Sequence, residues 1–248
     1  MKDKISIITI CYNCRTDLER TIKSVLSQTY TNKEYIVVDG ASTDGTAAVL
    51  AHYKEQIDIL ISEPDDGIYD ALNKGVKNAT GEWIICMNAG DVFSSEHILN
   101  NIFSQSIESD KTFIYSDFIL CHKDGRQELR KMNRDLGEIH HQNAIYRRCL
   151  HQQYGYYIVT HPYTVSDLLF FLSIPANQYL KINTPIAHIK SDGISDGLWC
   201  FEKSLAAKVI YGIESLPHAS YKYLRLAFGQ WRQRCKSRFF TIIKNIIP

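Results

Sequence analysis

A chain of 248 residues with 45% hydrophobic side chains can bury a sizeable core, which excludes wholesale disorder and allows one large α/β domain with a small appendage. The net charge is +1, but seven of the 28 basic residues and none of the 27 acidic ones lie in 216–248, so a basic tail that meets something anionic is expected. Seven scattered cysteines exclude a paired secreted framework, no run of about 18 apolar residues marks a spanning helix, and Met1–Ile10 has no signal-peptide pattern, so a cytoplasmic location is expected.

Ile5–Ile10 reads as a buried strand. A loop at Tyr12-Asn13 follows, then Thr16-Asp17-Leu18-Glu19 in capping-box order, with Leu18, Ile22, Val25 and Leu26 at helical spacing. Glu34–Val38 predicts a second strand, stopped by Asp39-Gly40. Ser42–Thr46 carries turn and cap chemistry ahead of a helix over Ala47–Tyr53. A third strand over Ile57–Ile61, a helix over Ile68–Asn78 and a fourth strand over Trp83–Met87 continue the alternation. That rhythm predicts an α/β fold, a mostly parallel sheet with helices on both faces. After Asp110 the rhythm changes. Thr112–Leu120 and Gln127–Lys131 are expected to form an antiparallel ribbon on the sheet edge, turning at Lys123-Asp124-Gly125. Ser166–Leu172 and Asp196–Tyr211 read as helices, Tyr179–Ile182 and Ile186–Ile189 as strands.

Ligands of parallel sheets bind beyond the carboxyl ends of the strands. Tyr12-Asn13, Asp39, Asn88 and Asp91 all fall at such ends, and their convergence on one rim points to a nucleotide-type site. Asp39 can accept from a uracil imide or a ribose hydroxyl, or cap the turn that follows it. In Glu63-Pro64-Asp65-Asp66-Gly67-Ile68-Tyr69-Asp70 the carboxylates flank a helix start, where they complement its dipole, and the Gly67 amide can approach a diphosphate or sugar hydroxyls. Gly75 costs roughly 1 kcal/mol in a helix relative to Ala, so a close approach by a ligand or another backbone is expected there. Lys74 can meet phosphate or simply face solvent. Asn88 and Asp91 can supply part of an oxygen shell for a divalent cation, or form an Asx turn. Asp167 can take a proton from an attacking hydroxyl, or serve as a first-turn helix acid. His141-Gln142 suits substrate hydrogen bonding, and His188 reads as structural. Cys11-x-x-Cys14 lacks the second pair that zinc would need and a thioredoxin-like context. No G-x-G-x-x-G follows the first strand, which disfavours a Rossmann dehydrogenase.

In this order the segments resemble the bacterial family 2 glycosyltransferases of GT-A fold, especially the subgroup that builds O-antigen, capsule and colanic-acid repeat units. The resemblance runs from residue 4 to about 196. It is carried by Ser6–Asn13, Ile36–Thr46, Ser62–Gly75, Asn88–Asp91, His141-Gln142, Ser166-Asp167 and Asp192-Gly193-Ile194-Ser195, with Glu63–Gly75 the most specific piece. It implies a nucleoside pocket lined by Thr9, Tyr12, Asn13, Asp39, Gly40 and Ser42, with Asp65, Gly67, Asn73 and Lys74 beside the donor sugar and diphosphate. Asp91, helped weakly by Asn88, would hold Mg2+ or Mn2+, Asp167 would be the catalytic base, and His141 and Gln142 would border the acceptor. The family's commoner metal motif has acids where Asn88 and Gly90 stand here. An aromatic residue often stands at the place of Leu168.

The implied organisation is a GT-A domain over 1–215, with a nucleotide-sugar half at 1–110 and an acceptor half at 111–215, followed by a basic amphipathic tail at 216–248. In the tail, apolar residues such as Leu224, Phe228 and Trp231 mix with the basic ones, the composition of an interfacial helix on an anionic membrane. Packing on the catalytic domain is the other use of such a helix. The implied partners are a nucleotide sugar, a polyprenyl-diphosphate-linked oligosaccharide and the inner face of the cytoplasmic membrane, with no nucleic acid. The implied reaction is inverting transfer of a hexose or N-acetylhexosamine. An inactive nucleotide-sugar-binding scaffold is the alternative.

Overall fold

The computed structural model describes residues 3–159, 165–191 and 198–246. Strand β1 (Ile5–Cys11) is buried at odd and even positions alike. A strand hidden on both sides belongs inside a sheet covered on both faces, which explains its nearly unbroken Ile, Ser and Thr run. Helix α1 (Arg15–Leu26), β2 (Lys33–Asp39), α2 (Thr46–Tyr53), β3 (Ile59–Ser62), α3 (Ile68–Asn78) and β4 (Trp83–Cys86) follow, with bounds shifted only slightly from those predicted. The neighbours β4, β1, β2 and β3 are parallel. Their register pairs Cys11 with Asp39 and Asp39 with Ser62, so the loops after β1, β2 and β3 leave the sheet together.

The expected capping box at Thr16–Glu19 does not form. Helix α1 begins at Arg15, which puts those residues inside its first turns. The neighbouring loop meets its orphan amides instead. Cys14 N–H donates to Thr46 Oγ1 (3.2 Å) and Arg15 N–H to Asp44 Oδ2 (3.2 Å). At Gly75 on α3 the close neighbour is neither the ligand nor the backbone expected but a side chain: a Cβ there would lie 2.4 Å from Ile8 Cγ2. Ile8 is wholly buried and β-branched, so it has little freedom to give way.

The second half departs further from expectation. It contains β5 (Val92–Phe93), α4 (Ile98–Phe103), β6 (Phe113–Ser116), β7 (Phe118–Cys121), β8 (Gln127–Arg130), β9 (Ala144–Arg147), α5 (Cys149–Tyr154), α6 (Ser166–Ser173), β10 (Tyr179–Ile182) and β11 (Ala187–Lys190). The main sheet has the order β10-β6-β9-β4-β1-β2-β3, with β9 antiparallel to both its neighbours. The stretch expected as one strand over Thr112–Leu120 breaks at Asp117. Its first half joins the main sheet and its second half a smaller sheet, β5-β11-β7-β8. The β7–β8 ribbon is antiparallel as expected, but it belongs to that second sheet and not to the edge of the first. Polar anchors cause the break: Asp117 Oδ1 accepts from Met132 N–H (2.8 Å) and Lys181 Nζ (2.7 Å), and Ser116 Oγ accepts from Ile186 N–H (2.9 Å).

The chain divides into two compact units, Met1–Gly193 and Ile194–Pro248. The second holds α7 (Leu198–Ile210) and α8 (Leu216–Ile246), so α7, expected in the first domain, falls with the tail. The Asp192–Ser195 segment and the expected helix start at Asp196 lie outside the described residues. Among those residues, no helix is long and apolar enough to cross a membrane.

Candidate active site

The three loops after β1, β2 and β3 are knitted together at the sheet's carboxyl rim. Asn13 has φ +48°, a left-handed conformation that Asn tolerates better than most residues. It donates its amide to Ser42 Oγ (2.8 Å) and accepts from Thr43 N–H through Oδ1 (2.8 Å). Asp39 is 1% exposed and organises this rim. Its carboxylate accepts from the Ser42 hydroxyl (2.5 Å) and amide (3.2 Å) and from Ser62 Oγ (2.7 Å). A Cβ on Gly40 would sit 2.5 Å from Asp65 Oδ2 and 3.2 Å from the Tyr12 ring, so Tyr12, Gly40 and Asp65 share one small space. Tyr12 is 65% exposed at its mouth. Gly67, with φ +101° and ψ −175°, turns the chain into α3 and donates its amide to Asp65 Oδ1 (2.8 Å).

Three residues expected on this rim do other work here. Thr9 is wholly buried, donating to the Met87 carbonyl (2.8 Å) and accepting from the Tyr35 hydroxyl (3.1 Å). Asn73 is also buried, and both ends of its amide clamp the Tyr157 backbone, at 2.8 and 3.0 Å. Lys74 spends its ammonium on the Pro64 carbonyl (2.8 Å), Glu63 (3.0 Å) and Asp70 (3.2 Å), bracing the loop from within.

A second cluster gathers beyond β4. Asp91 is 5% exposed, with Oδ1 accepting from Lys190 N–H (2.8 Å) and Oδ2 from Gln142 Nε2 (3.1 Å). Burial pushes its carboxyl up to about 6, against the pull of the Lys190 amide, Gln142, His141 and Arg20. From Asn88 a chain of hydrogen bonds runs through His141 to Asp167. Asn88 Nδ2 lies 2.7 Å from His141 Nε2, and His141 Nδ1 lies 2.9 Å from Asp167 Oδ2. With Asn88 as donor, the ring carries its proton on Nδ1 and gives it to Asp167. Asp167 Oδ1 accepts from the Tyr69 hydroxyl (2.7 Å) and the Leu168 amide (2.9 Å). Burial opposes the charged form of Asp167. The His141 ring, the Tyr69 hydroxyl and the Leu168 amide outweigh it and hold the carboxyl below its ordinary value.

Asp91, Asn88, His141, Gln142 and Asp167 are thus one connected group, as the sequence order alone could not reveal. Tyr69 and Lys190 belong to it and were missed. Tyr69 lies inside the Glu63–Gly75 motif, where the sequence reading gave it no role. His188 stays out of the group, near Cys121 Sγ (3.8 Å), and burial and then Arg20 lower its pKa.

Whether these side chains suit a divalent cation can be judged from their donors. Among the described residues, no group of three or more His, Cys, Asp and Glu could hold a metal ion. The Asn88 Oδ1 and Gln142 Oε1 oxygens, however, are buried without a hydrogen-bond donor, close along the network to the Asp91 carboxylate. One carboxylate and one amide oxygen fit Mg2+ or Mn2+ when water and a substrate phosphate complete the shell. The missing acid at Gly90 has a backbone reason: φ there is +105°, and the turn draws its amide onto Thr21 Oγ1 (2.9 Å).

A mostly parallel sheet with a polar carboxyl rim defines the class of α/β proteins that take ligands at strand ends. Residues 6–154 match the model of glycosyl transferase family 2, and the chain belongs to that family. It is 31% identical over 127 residues to a putative teichuronic acid biosynthesis glycosyltransferase of Bacillus subtilis, TuaG, covering 50% of each chain. It is 34% identical over 118 residues to the Escherichia coli UDP-Glc:alpha-D-GlcNAc-diphosphoundecaprenol beta-1,3-glucosyltransferase WfaP, covering 47% of this chain and 46% of that one. The chain spans half or less of the curated relatives it matches, from 23% to 50% of their lengths. Among solved structures, Staphylococcus aureus TarS 1-349 in complex with UDP-GlcNAc superposes with a TM-score of 0.68 at 16% identity, over 83% of this chain and 66% of that one. The fold is therefore that of the GT-A glycosyltransferases, as expected.

Proposed function

We propose that this chain transfers a sugar, with inversion, from a nucleotide sugar to a hydroxyl of a lipid-linked oligosaccharide in surface-polysaccharide synthesis. The observation that carries the reading is the single hydrogen-bonded group of Asp91, Asn88, His141 and Asp167, built where the family motifs meet. The donor is proposed to be a UDP-hexose or UDP-N-acetylhexosamine, which WfaP's UDP-Glc and TarS's UDP-GlcNAc both support. WfaP's diphosphoundecaprenol acceptor supports a polyprenyl-diphosphate-linked one here.

In the proposed step, the acceptor oxygen bonds to the anomeric carbon as that carbon's bond to the diphosphate oxygen breaks. The electron pair leaves with the nucleoside diphosphate, and the acceptor's proton passes to Asp167. One displacement from the opposite face inverts the carbon and needs no covalent enzyme intermediate. Tyr12, Asn13, Asp39, Gly40, Ser42, Asp65 and Gly67 form the proposed donor rim, and His141 and Gln142 border the acceptor. Asp91 and Asn88 would hold Mg2+ or Mn2+, which when bound would supply Lewis-acid stabilisation of charge on the leaving diphosphate. A screen of nucleotide sugars for Mn2+-dependent release of UDP or GDP tests the reading. Release from one UDP-sugar, raised by lipid-linked acceptor, is expected. The single-carboxylate donor set favours a second reading, an inactive binding scaffold, and tight UDP binding without turnover of any donor would select it.

The tail is proposed to lie on an anionic membrane at the cytoplasmic face. Tyr221, Leu224, Phe228 and Trp231 recur at helical spacing along α8 and are all exposed, with Lys222, Arg225 and Arg232 beside them in sequence. Each basic residue near such a surface contributes about 1 kcal/mol, screened by salt. Flotation with phosphatidylglycerol vesicles is expected to carry the protein upward at low salt. Equal flotation with pure phosphatidylcholine would refute the electrostatic part.

A further inference from the structure

The proposed base has two unequal oxygens. Asp167 Oδ1 is filled, taking the Tyr69 hydroxyl at 2.7 Å and the Leu168 amide at 2.9 Å. Among the described residues, Oδ2 takes only the His141 ring, at 2.9 Å. A carboxylate oxygen offers two lone pairs, so Oδ1 has none to spare and Oδ2 has one. The side chain is 18% exposed.

Tyr69 is built to hold that arrangement. It sits two residues after Gly67, on the first turn of α3, and is 9% exposed. Its ring packs on Tyr157 at 5.7 Å between centroids, and Asn73, one turn further along α3, clamps the Tyr157 backbone. The helix that opens with the Asp65–Gly67 turn thus carries both the hydroxyl on Asp167 and the clamp on its surroundings.

We propose that Tyr69 is the positioning residue of the Asp167 base, occupying Oδ1 so that Oδ2 receives the acceptor's proton. The proposal rests on Asp167 being the base. Among the described residues, the titratable groups facing Asp167 are His141, Tyr69, Tyr157, Tyr146 and Cys86. Burial raises the three tyrosines and the thiol, so they stay neutral through the working range. His141 is hydrogen-bonded to Asp167, so the difference between the pH profiles of wild type and variant reports on the pair, and a direct probe of the carboxyl assigns it to Asp167.

The test is Tyr69→Phe, which deletes one oxygen and keeps the ring. With the UDP-sugar found in the donor screen, kcat above the acid limb is expected to fall about 10-fold with KM within about twofold, because the carboxylate is no longer held with Oδ2 toward the acceptor. The acid limb of the kcat profile is expected to move to higher pH, because the lost hydrogen bond favoured the carboxylate. Carbon-13 NMR of labelled aspartate reads the same shift without substrate, with Asp167→Asn assigning the signal. An unmoved Asp167 titration, or a raised KM with an unmoved acid limb, would overturn the positioning role. If Asp167→Asn were itself fully active, the base reading would fail first, a result distinct from an inactive Asp167→Asn beside an unaffected Tyr69→Phe.

Discussion

Asp167→Asn is expected to lower sugar transfer by about a thousandfold while UDP binding, measured by calorimetry, stays within about threefold. The substitution keeps the shape of the side chain. Its carbonyl can still accept from Tyr69 or from His141, but not from both without turning an amide N–H toward the other donor. What it removes is the carboxylate that accepts the proton in the proposed step. The donor rim at Tyr12, Gly40 and Asp65 shares none of the hydrogen bonds that Asp167 makes, so nucleotide affinity has no reason to change. Turnover near wild type would remove Asp167 from the base role.

The second large effect is expected at Asp91. Asp91→Asn removes a buried charge but not the buried hydrogen bonds. The new carbonyl can accept from Lys190 N–H, and the new amide can donate to Gln142 once that side chain turns over. Gln142 Oε1 has no donor in the native structure, so the flip brings a free oxygen to the place it is needed. Stability is therefore expected to change by only about 1 kcal/mol, because the turn pairs Gln142 Oε1 and leaves Gln142 Nε2 unpaired in its place. Activity is expected to fall by about a hundredfold or more, and its dependence on Mn2+ to flatten, because the only carboxylate of the proposed metal shell is gone. Unchanged activity with unchanged Mn2+ titration would show that Asp91 is a structural acid, braced by Lys190 and Gln142.

The two halves of the first unit were unequally legible. From β1 to β4 the strands are mainly apolar runs, buried in β1, β2 and β4 and half-buried in β3, and the helices show their apolar spacing, so local pattern and tertiary fate agree. After Asp110 they part. Ala144–Arg147 is only four residues long, yet it lies between β4 and β6 in the main sheet. Nothing in so short a run distinguishes a central strand from a loop. The Thr112–Leu120 stretch looks continuous, but Ser116 and Asp117 are claimed by partners at Ile186, Met132 and Lys181, and those distant contacts split it between sheets.

By itself, the amino-acid order determined the α/β class and the residue types that crowd the strand ends, because apolar period and turn chemistry are written locally, while the family showed through the resemblance of its ordered motifs. Only the tertiary structure decided what each polar side chain does. Asn73 and Lys74 read as ligand groups in a motif, yet buried backbone and carboxylates nearby claim them first, since an unpaired polar group inside the fold costs more than a contact with solvent or ligand returns. Tyr69 and Asp167 stand 98 positions apart, and no local pattern could announce that one hydroxyl would meet one carboxylate oxygen.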